Sequence, residues 1–134
     1  MKWTLLLLLS VVGAVFGFIT LLPLNNFGEQ MVWLLCYIIC GYFIFRYAEE
    51  RFFLHGSVLG WFNFITTAVI HFCFYGFYIS SHKQFIKLNS ELEPGMSPYI
   101  ALLLIDFAKA VVAVFISGFF AAVMGHGLKK VFKQ

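Results

Sequence analysis

Four long apolar runs divide this chain, Trp3–Leu22, Met31–Phe45, Phe52–Ile79 and Tyr99–Gly125, and they constrain its fold more than any other feature. A membrane crossing takes about 20 apolar residues at a rise of about 1.5 Å each. Inside hydrocarbon every backbone N–H and C=O must be satisfied without water, which selects the α-helix. The second run reaches spanning length by drawing Arg46 and Tyr47 into the interface, so spans are expected at 3–22, 31–47, 52–79 and 99–125. The sequence therefore predicts an all-α integral membrane four-helix bundle, one domain over residues 1–134. Composition agrees, with 62% hydrophobic and only 11% charged residues. A soluble domain carries about 25% charged residues, so this chain has too few polar side chains to coat a globular surface.

The segment MKWTLLLLLSVVGAVFGFITLL has the flavour of a signal peptide, but its apolar run continues to Leu22, long enough for an uncleaved first helix. PLNNFGEQ reads as a turn between the first two spans and RYAEER as a short charged loop between the next two. The third loop is the longest. Within it Phe85, Leu88 and Leu92 share one face, which predicts a short amphipathic segment at the bilayer surface. Ser97-Pro98 then opens the last helix. Lys2, Arg46, Arg51, Lys129, Lys130 and Lys133 collect on one side, against Lys83 and Lys87 on the other. The excess of positive charge in cytoplasmic loops predicts N-in and C-in topology.

Several function classes drop out. A net charge of +3 is too small to suggest nucleic acid as partner, and no nucleotide loop is present. No HxxxH, HExxH or paired CxxC occurs, so no metal and no cofactor is expected. No nucleophile–base set appears either, and an enzyme is disfavoured. Cys36, Cys40 and Cys73 all fall within apolar runs, where free thiols act as small fillers.

Two faces are built for close packing. Ser10, Gly13, Gly17 and Thr20 line one side of the first helix, with a GxxxG at Gly13–Gly17. In the fourth, Ala113, Ser117, Ala121 and Gly125 repeat every four residues. Such ridges let backbones approach closely, because packing drives association in lipid. They can meet within one bundle or between protomers.

The polar residues inside the spans carry whatever chemistry there is. On the third helix Thr67, His71 and Tyr75 form a stripe with Tyr78, flanked by Gly60 and Asn63. Thr67 or Tyr75 can give His71 a hydrogen bond; the functional alternatives are a haem ligand or a proton carrier. Haem lacks a second histidine at matching depth, since His55, His82 and His126 lie toward the ends of the spans. On the fourth helix Asp106 and Lys109 stand at i and i+3, neighbours on one face. They are expected to pair with each other, sparing part of the roughly 3 kcal/mol that a lone mid-bilayer Lys costs on insertion scales. His71 belongs to the same half of the bundle, so all three side chains are candidates to converge.

GYFIFRYAEERFFLHGSVLGWFNFITTAVIHFCFYGFYI and the closing FISGFFAAVMGHGLKK resemble small four-helix bacterial membrane proteins catalogued as a domain of unknown function. The resemblance is one of hydropathy and Gly placement over the last two-thirds of the chain. It implies the fold and a bacterial cytoplasmic (inner) membrane location, and no activity. The packing ridges then suggest an accessory or structural subunit, partnered by lipid and by another membrane protein or a second copy. The alternatives are an oligomeric small transporter or channel using Asp106, Lys109 and His71, and a membrane enzyme acting on a lipid or quinone.

Overall fold

The computed structural model describes residues 1–82 and 97–132, and five helices account for most of them. They are α1 (Trp3–Ile19), α2 (Asn26–Tyr47), α3 (Phe52–Cys73), α4 (Tyr75–Ser81) and α5 (Pro98–Phe132). The amphipathic segment expected around Phe85–Leu92 lies outside the described residues. Three helices are long and apolar enough to cross a membrane, over Phe27–Tyr47, Phe52–Cys73 and Pro98–Lys130. α1, at 17 residues, is shorter than a typical crossing. The bundle is apolar outside as well as inside: Leu7, Leu8 and Val11 on α1 and Leu103, Leu104 and Phe115 on α5 are exposed.

Local chemistry sets the boundaries, and three of them differ from expectation. α1 stops at Ile19, where Thr20 closes the last turn onto Phe16 and Pro23 forbids continuation. α2 starts at Asn26, five residues before the apolar run, because the Asn25 side chain accepts from the Gly28 N–H at 2.7 Å and caps the helix. This places Glu29 in the first turn, where its charge suits the helix dipole. The third run is two helices rather than one. Phe74 leaves helical geometry (φ −109°, ψ 30°), and α4 begins anew at Tyr75, next to the poor helix former Gly76. α5 has Pro98 in its first turn and runs for 35 residues, about 52 Å. That exceeds the roughly 30 Å thickness of a hydrocarbon core.

α3 is the central helix. The two small-residue ridges do not pack on each other; each packs on α3, at a different height along one stripe of that helix. A Cβ on Gly13 would collide with the Asn63 amide, and one on Gly17 would stand 3.0 Å from Thr67 Oγ1. Against α5, a Cβ on Gly56 would lie 2.5 Å from the Ser117 carbonyl oxygen and 2.7 Å from Ala121 Cβ. Ser117 Oγ donates to the Gly56 carbonyl at 2.9 Å, and Gly125 lies against the Phe52 ring. Ala121 is fully buried, and Ala113 faces an opening between helices instead of a helix. Leu6, Cys36, Cys40, Ile44, Phe52 and Leu59 form the larger apolar core, and Leu21, Ile70, Tyr78 and Leu102 a second one toward the other end. The thiols of Cys36 and Cys40 are free and buried within the first core.

Candidate functional site

His71 sits next to the second core, 3% exposed, and both ring nitrogens are engaged across helix boundaries. Nδ1 lies 3.1 Å from Asp106 Oδ2 on α5, and Nε2 lies 3.0 Å from Thr20 Oγ1 at the end of α1. The expected partners on its own helix are thus replaced by partners on two others. The Thr20 hydroxyl has one proton, and its oxygen is 2.6 Å from the Gly17 carbonyl, which can only accept. With that proton on Gly17, the nearer of the two acceptors, Thr20 accepts from His71 Nε2–H. The Nδ1–Asp106 contact then needs a proton of its own, carried either by the imidazole as imidazolium or by the carboxyl as acid. In both forms the pair is electrically neutral. Neutrality suits its burial, since the side chains are only 4% and 9% exposed.

The break at Phe74 completes this arrangement. Residues seven apart on an unbroken helix stand about 10 Å apart along the axis. Here the Tyr78 ring lies flat on His71 with centroids 3.9 Å apart, and His82 packs on the other part of the same stack at 4.3 Å. An aromatic face favours a charged imidazole when the proton resides there. Tyr75, by contrast, turns away from His71 and stacks on Tyr99 at 4.0 Å.

Asp106 and Lys109, expected to neutralise each other, each meet a partner on another helix. Asp106 meets His71, and Lys109 Nζ lies 3.5 Å from Glu29 Oε1 on α2. Glu29 is 8% exposed, so its charge is largely withdrawn from solvent and faces that of Lys109.

These groups border a cavity of about 830 Å³ between α2, α3 and α5. That is within the range of small-molecule sites. Its polar part holds Glu29, His71, Asp106 and Lys109; its apolar walls include Leu34, Phe64, Val112 and Ile116. The shape follows from helix contacts. α2 meets α5 where Tyr37 packs on Phe120 and Gly41 on Met124, and toward Glu29 and Lys109 the two helices leave the cavity between them. The Glu29–Lys109 pair bridges that wider end.

Of the residues expected to form a site, His71, Asp106, Lys109, Thr67 and Asn63 all line this cavity, and Tyr75 does not. Asn63 and Thr67 also turn toward α1. Asn63 Nδ2 reaches Cys36 Sγ at 3.9 Å, while Asn63 Oδ1 and Thr67 Oγ1 are buried without a hydrogen-bond partner. Both oxygens face glycine Cα atoms, Gly13 and Gly17, whose hydrogens are weak donors. Sequence reasoning missed Glu29 and the role of Thr20. Glu29 lay in a segment read as a turn, although Asn25 is a helix N-cap signal four residues before it. Thr20 was visible only as a ridge residue. No family model, curated protein or solved structure matches the chain, so its functional reading rests on this geometry alone.

Proposed function

We propose that this chain is a four-span integral membrane protein, with both termini on the cytoplasmic side, that binds and moves a small molecule through the cavity between α2, α3 and α5. The observation that carries this reading is the cavity itself: about 830 Å³ of space bordered by four ionisable side chains, Glu29, His71, Asp106 and Lys109. Ionisable groups within a span are costly and mark substrate or proton paths unless they merely satisfy one another. Here they satisfy one another across three helices and still border an open space. An accessory subunit would draw its support from unused packing ridges. Most of both ridges, Gly13, Gly17, Ser117, Ala121 and Gly125, is spent on α3 within the chain, which favours the transport reading.

A neutral apolar probe tests it. Trp33 lines the cavity, so Trp3→Phe/Trp61→Phe leaves a single reporter inside it. N-phenyl-1-naphthylamine added to this protein in nanodiscs should accept energy from Trp33 in a saturable manner. Ala113→Phe, which places a ring in the cavity, should reduce that transfer severalfold. Transfer that never saturates, or that Ala113→Phe leaves unchanged in a folded protein, would refute the site.

A further inference from the structure

We infer that the cavity takes a lipophilic organic cation and exchanges it for the proton held between His71 and Asp106. This rests on the proposed ligand site and names its ligand class and its coupling.

The inference begins with charge. Among the described residues, the titratable and charged groups around the pair are Glu29 from α2, Lys109 from α5, and Tyr78 and His82 from α4 and its C-terminal cap. Glu29 and Lys109 lie 3.5 Å apart and sum to zero. His71 and Asp106 share one proton and sum to zero as well. The cavity with its proton is therefore neutral.

Loss of that proton has a defined structural route. Nε2–H leaves, and the Thr20 hydroxyl swings from the Gly17 carbonyl to donate to the bare Nε2, both acceptors being within 3.0 Å of its oxygen. Nδ1–H then donates to the Asp106 carboxylate. No heavy atom has to move far: from the imidazolium form only the Nε2–H bond breaks, its proton passing to water, and from the acid form the carboxyl proton also moves to Nδ1. The site ends with one net negative charge, on Asp106, bordering a cavity whose walls are mostly apolar.

An uncompensated carboxylate in such surroundings is unfavourable, and a cation entering the cavity restores neutrality. The walls select the kind of cation. Trp33, Tyr37 and Phe64 present aromatic rings to the cavity, and aromatic faces attract desolvated cations. A hydrated inorganic ion would have much of its water left unreplaced along Leu34, Val112 and Ile116, which form a large part of the wall. A cation that carries its own apolar surface loses little on entry. Proton and cation thus compete for one negative charge, and each expels the other.

Tetraphenylphosphonium is the probe. Equilibrium binding to the protein in detergent should tighten as pH rises, by up to tenfold per pH unit. In weakly buffered solution, one proton should appear per cation bound. Asp106→Asn keeps an acceptor for His71 Nδ1–H but cannot become negative. It should bind the cation weakly, at a level independent of pH, with no proton released. Cation binding by the parent protein without proton release, or proton-linked binding that survives in Asp106→Asn, would overturn the exchange. So would an absence of cation binding where N-phenyl-1-naphthylamine still saturates Trp33, and in that case the ligand site itself would stand.

Discussion

Two histidines in this chain show how neighbours decide what an imidazole does. His55 Nε2 accepts from the Lys2 backbone N–H at 3.1 Å, and its Nδ1 donates to the Arg51 carbonyl at 3.0 Å. One donor and one acceptor fix a single neutral tautomer, and the ring serves to satisfy an orphan N–H at the start of α1. His71 has a hydroxyl at Nε2 and a carboxyl at Nδ1, so its contacts accommodate a shared extra proton. The role of Thr20 can be tested directly. Thr20→Val preserves the shape but leaves His71 Nε2–H buried and unpaired, at a cost of about 1–3 kcal/mol. Thr20→Ser should restore most of it, both read by thermal unfolding in detergent. Equal stability of the Val and Ser variants would show that Nε2–H does not depend on Thr20. That His71 mattered was legible from the sequence, because a polar stripe on an otherwise apolar helix is visible there. Its partners were not. One helix displays only its own i±4 neighbours, while Thr20 and Asp106 reach His71 through the crossing of α1 and α5 over α3.

At the scale of the helices, α3 is where the packing information converges. Its Gly56 and Gly60 receive α5, and its Asn63 and Thr67, further along the same stripe, receive the glycines of α1. Gly56→Ala would put a methyl group against the Ser117 carbonyl and Gly118 Cα, backbone atoms that cannot rotate away. Overpacking of this kind costs about 1–3 kcal/mol. Gly127→Ala has nothing within 4 Å of its new methyl, so it should be neutral or slightly stabilising through helix propensity. Unfolding of both variants side by side checks the contrast, and equal effects would contradict the α3–α5 contact. Asn25→Ala should cost about 1 kcal/mol as a lost N-cap. The small-residue ridges on α1 and α5 could be read from spacing alone, but not that α3 is their common partner, since a ridge states how close a neighbour may come and not which neighbour comes. The break after Cys73 was illegible for a different reason. Phe72, Phe74 and Tyr75 continue the apolar run without interruption, and only the stacking of Tyr78 on His71 reveals what the break accomplishes.

For the molecule as a whole, the contacts at one end bind distant parts of the chain to a common face. Lys2 Nζ reaches Glu49 at 3.0 Å, Lys129 donates to the Glu49 carbonyl, and Lys129 also stands 4.7 Å over the Phe52 ring. The start of α1, the turn after α2 and the end of α5 therefore share one side, whichever side of a membrane that is. The hydrogen bond from Lys2, and then its charge, hold the Glu49 carboxyl below its ordinary range. A folded value below the unfolded one makes the contact's contribution present above the ordinary carboxylate range, and lost as pH falls through the lowered value. Glu49 is fully exposed, so this contribution is small and screened by salt. The shared face should instead persist on acidification, because the Lys2 N–H to His55 bond and the packing of Gly125 on Phe52 involve no carboxylate. Single cysteines at Lys2, Glu50 and Lys130, each in a Cys73→Ala background, make this measurable with a membrane-impermeant maleimide. All three should be protected in intact cells and labelled after permeabilisation, as the excess of Lys and Arg at this end requires. The same pattern is expected at pH 5 and pH 7.5. Labelling of one position without the other two would break the common face. Labelling of all three in intact cells would keep that face and reverse the orientation, turning the wide end of the cavity, with Glu29 and Lys109, toward the cytoplasm.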